Sequence, residues 1–569
     1  MALFLSTGAA GQTPDGGLRI EGRAVWANPN NIATSDSAVR AFIDHCKRAN
    51  IQLIVLLTKH TDKTLFYHSR KFPESIAPRF KDFDPLAAVV REAHKAGIRV
   101  HAWISSFTAT PDGPIMQNHP EWAMRNADGT IPTEAEYLAN GRRYYLNWMC
   151  PARRPGYTDQ WLLPVIEEIV ANYDVDGIHH DYVRYPGDVA PDGYCFCDYC
   201  LDEMMKYAHF YYEAFRDTAY DIVPMLPNFI ANWWSDPTVK PRGWESWNRR
   251  RKAEFLLKGS FIRGGPSDLD YFFYTFRQEQ IQRFVREAWE RASAIRPDIE
   301  VSAAVFKNPI ASGRFIGQRW TDFAPWIDIM MPMVYRSHFP PRSFDTFLTQ
   351  LEEYTRYEYR WAKNRTHLYM GLDVAYIYNE ERYFHLNSRA ALDSLNRVSR
   401  RERKAYLQKL QVEFDAIREH FTSVAPKLAG EYQEALQQLQ RGDASAADRM
   451  RAILTRLRVD PPAGFYPPDK LRRVIETVRK GGSRGIVLFS AVHLNRRKLW
   501  SVLEQVFAEP ARPPESFGPA AEMSIAMLKS LRQQLARSRQ QRNWFLVLTA
   551  ALVLFLLIRE IHRKGLSRM

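Results

Sequence analysis

The chain has 569 residues, 46% of them hydrophobic and 25% charged, which supplies a large core and excludes disordered and collagen-like classes. Its formal charge of +14 is uneven: from Lys529 onward nine basic residues face Glu560 alone, which leaves the preceding 528 residues at only +6. A body so nearly balanced is not a polyanion binder, and no nucleic-acid partner is expected. The 15 Trp and 27 Tyr suit either stacking on sugar rings or a large core.

In chain order, residues 1–20 begin MALFLSTGAAGQTPDGG, a short apolar stretch ending in small and polar residues, and the first basic residue is Arg19. This reads either as the second half of an export signal or as a disordered leader. Residues 21–509 then alternate short apolar runs with amphipathic segments. The runs are Ala24–Trp26, Ile51–Leu57, Ile98–Ile104, Val175–His180, Ile299–Val305, Ile327–Val334, Leu368–Leu372 and Ile486–Phe489, and each predicts a strand. Between the first two, Val39, Phe42, Ile43 and Cys46 recur with helical spacing. Asp84-Pro85 forms an N-cap with proline at the first helical position, and Gly97 closes that helix. Tyr157–Asn172, Gln278–Ile295, Phe344–Lys363 and Asp469–Lys480 supply further helices, each directly before a strand. Strands apolar on both faces and alternating with helices predict an α/β fold, a (β/α)8 TIM barrel.

Two stretches exceed plain loops and are expected to be rim insertions after strands four and seven. The first, 187–270, holds Cys195-Phe-Cys197-Asp-Tyr-Cys200 and a Trp-rich segment (Trp233, Trp234, Trp244, Trp247). Three cysteines so spaced fit either a metal site, with Cys150 or His180 as fourth ligand, or a disulfide or packed loop. The second, 376–468, contains a charged helical region, about Leu392–Val459, that reads as an αα-hairpin. Pro510–Pro519 marks the exit from the barrel, and 510–542 reads as a linker with a basic juxtamembrane segment.

Trp544–Ile558 carries no charge and predicts a C-terminal transmembrane helix over 543–561, followed by a short basic tail, 562–569. Fifteen helical residues rise roughly 22 Å against a hydrocarbon core of about 30 Å, so flanking residues must snorkel. Both flanks are basic, which leaves the orientation open. An export signal would place the body outside the inner membrane.

In a barrel of this kind the chemistry sits at strand C-termini. Strand four ends His179-His180-Asp181-Tyr182-Val-Arg184. Alternation puts His179 and Asp181 on one face, the barrel interior if Ile178 meets the helices. An Asp181 carboxylate beside Arg184 and a histidine is expected to have its ionised form favoured, as a nucleophile or cation-stabilising anion requires; the alternative is a buried Asp181–Arg184 salt bridge. In strand three the same alternation turns His101, Trp103 and Ser105 inward. Trp103 there either stacks on a pyranose or fills the barrel.

The segment from Tyr173 through Asp176-Gly-Ile-His-His-Asp181 to Pro186 resembles the fourth-strand signature of the bacterial glycosyl hydrolase-like ten family. His101-Ala-Trp-Ile, the segment His119 to Gly129, Trp326 to Tyr335, Gly371-Leu and Gly485 to Ser490 resemble other parts of it in the same order. The resemblance spans roughly Arg23 to Phe507. It implies an eight-stranded barrel distantly similar to the alpha-amylase clan, with Asp181 at the nucleophile position and His179 where amylases have arginine. Amylases carry an acid/base glutamate at the end of strand five, but here that strand ends Phe306-Lys307-Asn308 without a carboxylate. A partner for Asp181 must come from elsewhere, and Asp373 in Gly371-Leu-Asp373 is the first choice, before Glu380, Glu381 and Asp176.

The expectation is a membrane-anchored glycoside hydrolase acting on a cell-envelope or extracellular polysaccharide. Asp181 and Asp373 would be catalytic, and His101, Trp103, His179, Arg184 and Tyr335 would bind substrate. No cofactor is implied. A carbohydrate-binding protein on a degenerate barrel and a metal-dependent deacetylase using His179, Asp181 and His101 are the alternatives.

Overall fold

The computed structural model describes residues 18–514, apart from 62–63, 139–142, 188, 190–191, 208–242, 260–268, 341–343, 363–365, 376, 378–379, 396 and 457–467. Most of the leader, Trp233, Trp234 and the apolar run Trp544–Ile558 lie outside the described residues. No described helix is long and apolar enough to cross a membrane.

Each apolar run becomes a strand: β1 (Gly22–Ala27), β2 (Leu53–Lys59), β3 (Arg99–Ser105), β4 (Gly177–Asp181), β5 (Glu300–Phe306), β6 (Ile329–Met333), β7 (Met370–Asp373) and β8 (Gly485–Phe489). Neighbours pair in parallel throughout, β8 with β1 and β5 with β6 included, so the eight strands close into a barrel. Strand seven has a second piece, His367–Leu368, paired with β6 and separated from β7 by Tyr369. The Tyr369 ring occupies the barrel floor. A Cβ at Gly22 would lie 2.0 Å from its Cζ and one at Gly485 2.2 Å from its Cδ1, so both strands must start with glycine.

The two faces of the sheet carry separate apolar clusters. Val25, Ile54, Val100, Ile178, Val301 and Ile486 pack outward against the helices, while Ala24, Trp26, Val55, Trp103, Met331 and Val487 fill the interior. Burial on both faces is why the strands read as unbroken apolar runs rather than alternating ones.

The first shell helix, Asp36–Arg48, buries Val39, Phe42, Ile43 and Cys46, and Ser35 caps it by accepting from the Ala38 N–H. Full burial of such side chains is worth roughly 1.5–3 kcal/mol for each large apolar residue. In the next helix, Pro85–Lys95, Asp84 Oδ1 accepts from the Ala87 N–H at 3.0 Å, and Gly97 takes a left-handed φ of 70°. Leu163–Asn172, Asp270–Ile295, Phe344–Ala362 and Pro468–Lys480 lead into later strands as expected.

The insertion after β7 is larger than an αα-hairpin. Among its described residues are four helices, Glu380–Ser394, Arg400–Val424, Pro426–Gln440 and Ala446–Arg456, around a core of their own that includes Leu392, Phe414, Tyr432, Leu436 and Met450. Pro426 restarts the helix at its first position and Gly442, with φ 104°, turns the chain again, so one charged helical region is divided by a proline and a glycine. Downstream of β8, Ala511–Arg512 pairs with Arg19–Ile20, and Arg23 Nη1 donates to the Phe507 and Glu509 carbonyls at 2.9 Å each. Strand pairing thus reaches Arg512.

Candidate active site

The inward faces of β3, β4 and β5 build a polar column through the barrel. Register pairs His101 with Gly177, Trp103 with His179 and Ser105 with Asp181, and Gly177 and His179 with Glu300 and Ser302. The Trp26 indole, a donor only, gives its N–H to His179 Nε2 at 3.1 Å. His179 Nδ1 therefore carries the proton and donates to Ser302 Oγ at 2.9 Å. Ser302 Oγ in turn meets His101 Nδ1 at 2.8 Å, and His101 Nε2 meets Glu300 Oε2 at 3.0 Å. Arg99 closes the column on Glu300 at 2.5 Å. Burial acts to raise the Glu300 carboxyl, but His101 and Arg99 outweigh it and hold it down at about 2.

This column bears on two expectations. His101 points inward as alternation requires, but it is fully buried and lies four residues below Ser105 on β3, about 13 Å from the mouth at strand rise. It lies toward the barrel floor, away from the mouth where a substrate-binding role was expected. A Cβ at Gly177 would stand 2.5 Å from His101 Nε2, so the glycine of the strand-four segment makes room for this ring. His179 is also fully buried, beneath Trp103, whose ring meets it edge-on at 6.4 Å. Burial, then the neighbouring His101 and His180, push His179 well below its ordinary pKa, so it serves as a neutral prop under the mouth.

At the mouth the strand ends converge. Asp181 Oδ1 accepts from the Tyr182 N–H at 2.7 Å and Oδ2 from the Trp103 indole N–H at 3.2 Å. Tyr182 adopts a left-handed φ of 50°, a conformation costing a non-glycine residue on the order of 1 kcal/mol or more. The expectation that positive neighbours lower Asp181 is reversed. Burial pushes its carboxyl above the usual aspartate value, and the Tyr182 N–H, Arg184 and the Trp103 N–H oppose without cancelling it. The Arg184 guanidinium forms no ion pair with Asp181. It lies over the rings of Phe306 (4.7 Å), Trp148 (4.8 Å) and Tyr182 (5.1 Å) and donates to the Tyr185 carbonyl at 3.2 Å.

Tyr335 follows β6, which lies in barrel order between strands four and seven, the carriers of the two candidate carboxylates. Burial first, then Asp373, Asp181 and Tyr182, raise its hydroxyl well above the ordinary value. Asp373 is buried, and its Oδ1 accepts from the Ala375 N–H at 2.7 Å. Asp176 is far from this group, at the opposite end of its strand, where Oδ2 meets His94 Nε2 at 2.9 Å and the Val100 N–H at 2.8 Å. Glu380 opens a helix, and the side chains of Glu380 and Glu381 are outside what is described.

Several residues were not anticipated. Phe489, ending β8, meets Tyr335 at 5.6 Å, Trp26 at 5.9 Å and Trp103 at 6.4 Å, and so centres the aromatic lining of the mouth. His338 packs between Phe306 (5.4 Å) and Tyr335 (5.1 Å) and places Nδ1 2.9 Å from the Met333 carbonyl. The available signal was position alone, since both lie at or just past the C-terminal end of a strand.

The fold and these strand-end groups define a (β/α)8 barrel whose mouth carries carboxylates from strands four and seven among aromatic rings. The family model described as glycosyl hydrolase-like 10 matches residues 21–384, and the chain belongs to that family. Glycosyl hydrolase DigH of Escherichia coli strain K12 is 27% identical over 175 residues, covering 28% of this chain and 38% of DigH. Glycosyl hydrolase YngK of Bacillus subtilis strain 168 is 25% identical over 154 residues, covering 26% of this chain and 28% of YngK. The chain thus matches well under half the length of either relative. Among solved structures, alpha-L-fucosidase isoenzyme 2 from Paenibacillus thiaminolyticus superposes with a TM-score of 0.36 and 16% identity over 63% of this chain and 40% of the fucosidase.

Proposed function

We propose that this protein is a glycoside hydrolase in which Asp181 faces the anomeric carbon and Asp373 supplies the proton transfer. The observation that carries the proposal is the Asp181 carboxylate, held at the strand-four terminus by two N–H donors, one on each oxygen. Both donors fix it as an acceptor, while burial makes the anion less stable than in water. A developing oxocarbenium charge in a site of low dielectric relieves that penalty, so Asp181 interacts more strongly with the transition state than with the bound sugar. Trp103, Tyr335 and Phe489 provide apolar faces on which a pyranose ring stacks. Arg184, kept from Asp181 by its aromatic cage, orients sugar hydroxyls without neutralising the carboxylate.

The substrate is a cell-envelope or extracellular polysaccharide, and the enzyme is tethered through Trp544–Ile558, a reading that the uncharged run and the basic residues around it support; an N-terminal export signal would place the barrel outside the cytoplasm. A non-catalytic carbohydrate-binding role is the second reading, favoured by the end of β5, where Phe306-Lys307-Asn308 offers no carboxylate. The deacetylase reading loses its ligand set, because His101 sits at the floor and Asp181 at the mouth. Incubating the purified chain with a panel of envelope and extracellular polysaccharides tests the proposal. Release of reducing ends by the wild type and not by Asp181→Asn supports it; equal binding of a polysaccharide by both proteins with no product from either favours the binding role.

A further inference from the structure

Four cysteine sulfurs gather in one place. Cys150, Cys195, Cys197 and Cys200 are all buried, and their Sγ atoms lie within 4.8 Å of one another. Cys150 Sγ is 3.3 Å from Cys200 Sγ and 3.9 Å from Cys197 Sγ. A tetrahedron of thiolates at a zinc–sulfur distance of about 2.3 Å has sulfur–sulfur edges of about 3.8 Å, whereas a disulfide needs about 2.05 Å. The measured separations straddle the first value and exceed the second. His180, the other fourth ligand considered, packs edge-on against Phe284 at 5.2 Å on the outer face of β4.

Three ligands come from a single turn-and-helix segment, in which the Leu201 N–H bonds to the Cys197 carbonyl at 3.0 Å. The fourth comes from another loop, just past the short strand Asn147–Trp148 that pairs with Thr108–Ala109 beyond β3. A cross-link between them joins the rim above β3 to the insertion after β4, and it anchors the backbone of Trp148, whose ring stacks on Arg184. The buried guanidinium of Arg277 lies over Tyr185 at 4.4 Å and within electrostatic reach of Cys195, so a cation stands near the excess negative charge of four thiolates on a divalent ion.

We propose that Cys150, Cys195, Cys197 and Cys200 bind one zinc ion tetrahedrally, as a structural clamp between the two rim loops. Soft thiolates in this geometry select zinc or iron, and four protein ligands leave no open position for catalysis.

The full-length chain, purified in detergent without added chelator, tests this by elemental analysis and by thiol titration after unfolding with a chelator. The expected result is one zinc per chain, five reactive thiols, and loss of at least 80% of the zinc in Cys197→Ser but not in Cys46→Ser, whose sulfur belongs to the first shell helix. Should Cys197→Ser fail to fold, cobalt exchanged into the wild type is expected to show the intense visible bands of a tetrahedral thiolate complex. Iron in place of zinc, a metal-free protein with five thiols, or fewer than five thiols because of disulfides would each overturn the proposal.

Discussion

Trp103 donates its indole N–H to Asp181 Oδ2 at 3.2 Å, while its ring rests edge-on over His179. One side chain thus ties the mouth carboxylate to the buried column beneath it. An aromatic residue available for stacking is also the donor that opposes the upward pull of burial on Asp181.

Trp103→Phe keeps most of the ring and removes the donor. A hydrogen bond to a charged group is worth about 1.5–3 kcal/mol, and one pKa unit is 1.36 kcal/mol. Asp181 is expected to rise by about one unit, which moves the acidic limb of a kcat/KM profile upward by a similar amount. An unchanged acidic limb with a raised KM would assign Trp103 to stacking alone.

Asp181→Asn is expected to lower turnover by at least about 100-fold, because the lost charge acts chiefly in the transition state. Arg184 is held by rings and a carbonyl and not by Asp181, so no buried cation is left unpaired and the change in stability should stay near about 1 kcal/mol. Thermal melting and hydrolysis measured on the same variant check this. A large drop in melting temperature with proportionate loss of activity would make the residue structural.

Glu300 sits at the other end of the barrel, held down at about 2. Its depressed value adds stability above the unfolded carboxyl range, about 4.3, and that contribution is lost as the pH falls through about 2. Glu300→Gln should therefore melt lower than wild type at pH 7, and the two curves should converge toward pH 2. Activity per folded molecule should change little.

Glu358, on the helix Phe344–Ala362, has the opposite sign. Burial raises its carboxyl to about 8, against the opposing pull of the Asn308 backbone N–H and Lys307. Its stabilising effect is complete below about pH 4.3 and declines as the pH rises through about 8. Glu358→Gln should match wild type near pH 4 and melt higher at pH 9, by an amount on the order of a few kcal/mol. A fixed difference across that range would show that this carboxyl does not titrate between the two values.

Local pattern was enough to determine the barrel. Eight runs buried on both faces, the spacing of Val39, Phe42, Ile43 and Cys46, and the Asp84-Pro85 cap all depend on neighbours within a few residues, and each became the expected element. Alternation also turned His101, Trp103, His179 and Asp181 inward, because side-chain direction in a strand has a period of two. Depth along the barrel was decided only by register between strands far apart in the chain: opposite Gly177 and Glu300, His101 falls to the floor. The same holds for Asp181, whose carboxyl is pushed upward by burial that closure of the barrel creates, and for Arg184, which rings from three separate segments draw away from the carboxylate three residues before it. Sequence names the groups that can carry charge; the low-dielectric interior, assembled from distant strands, decides which of them keep it.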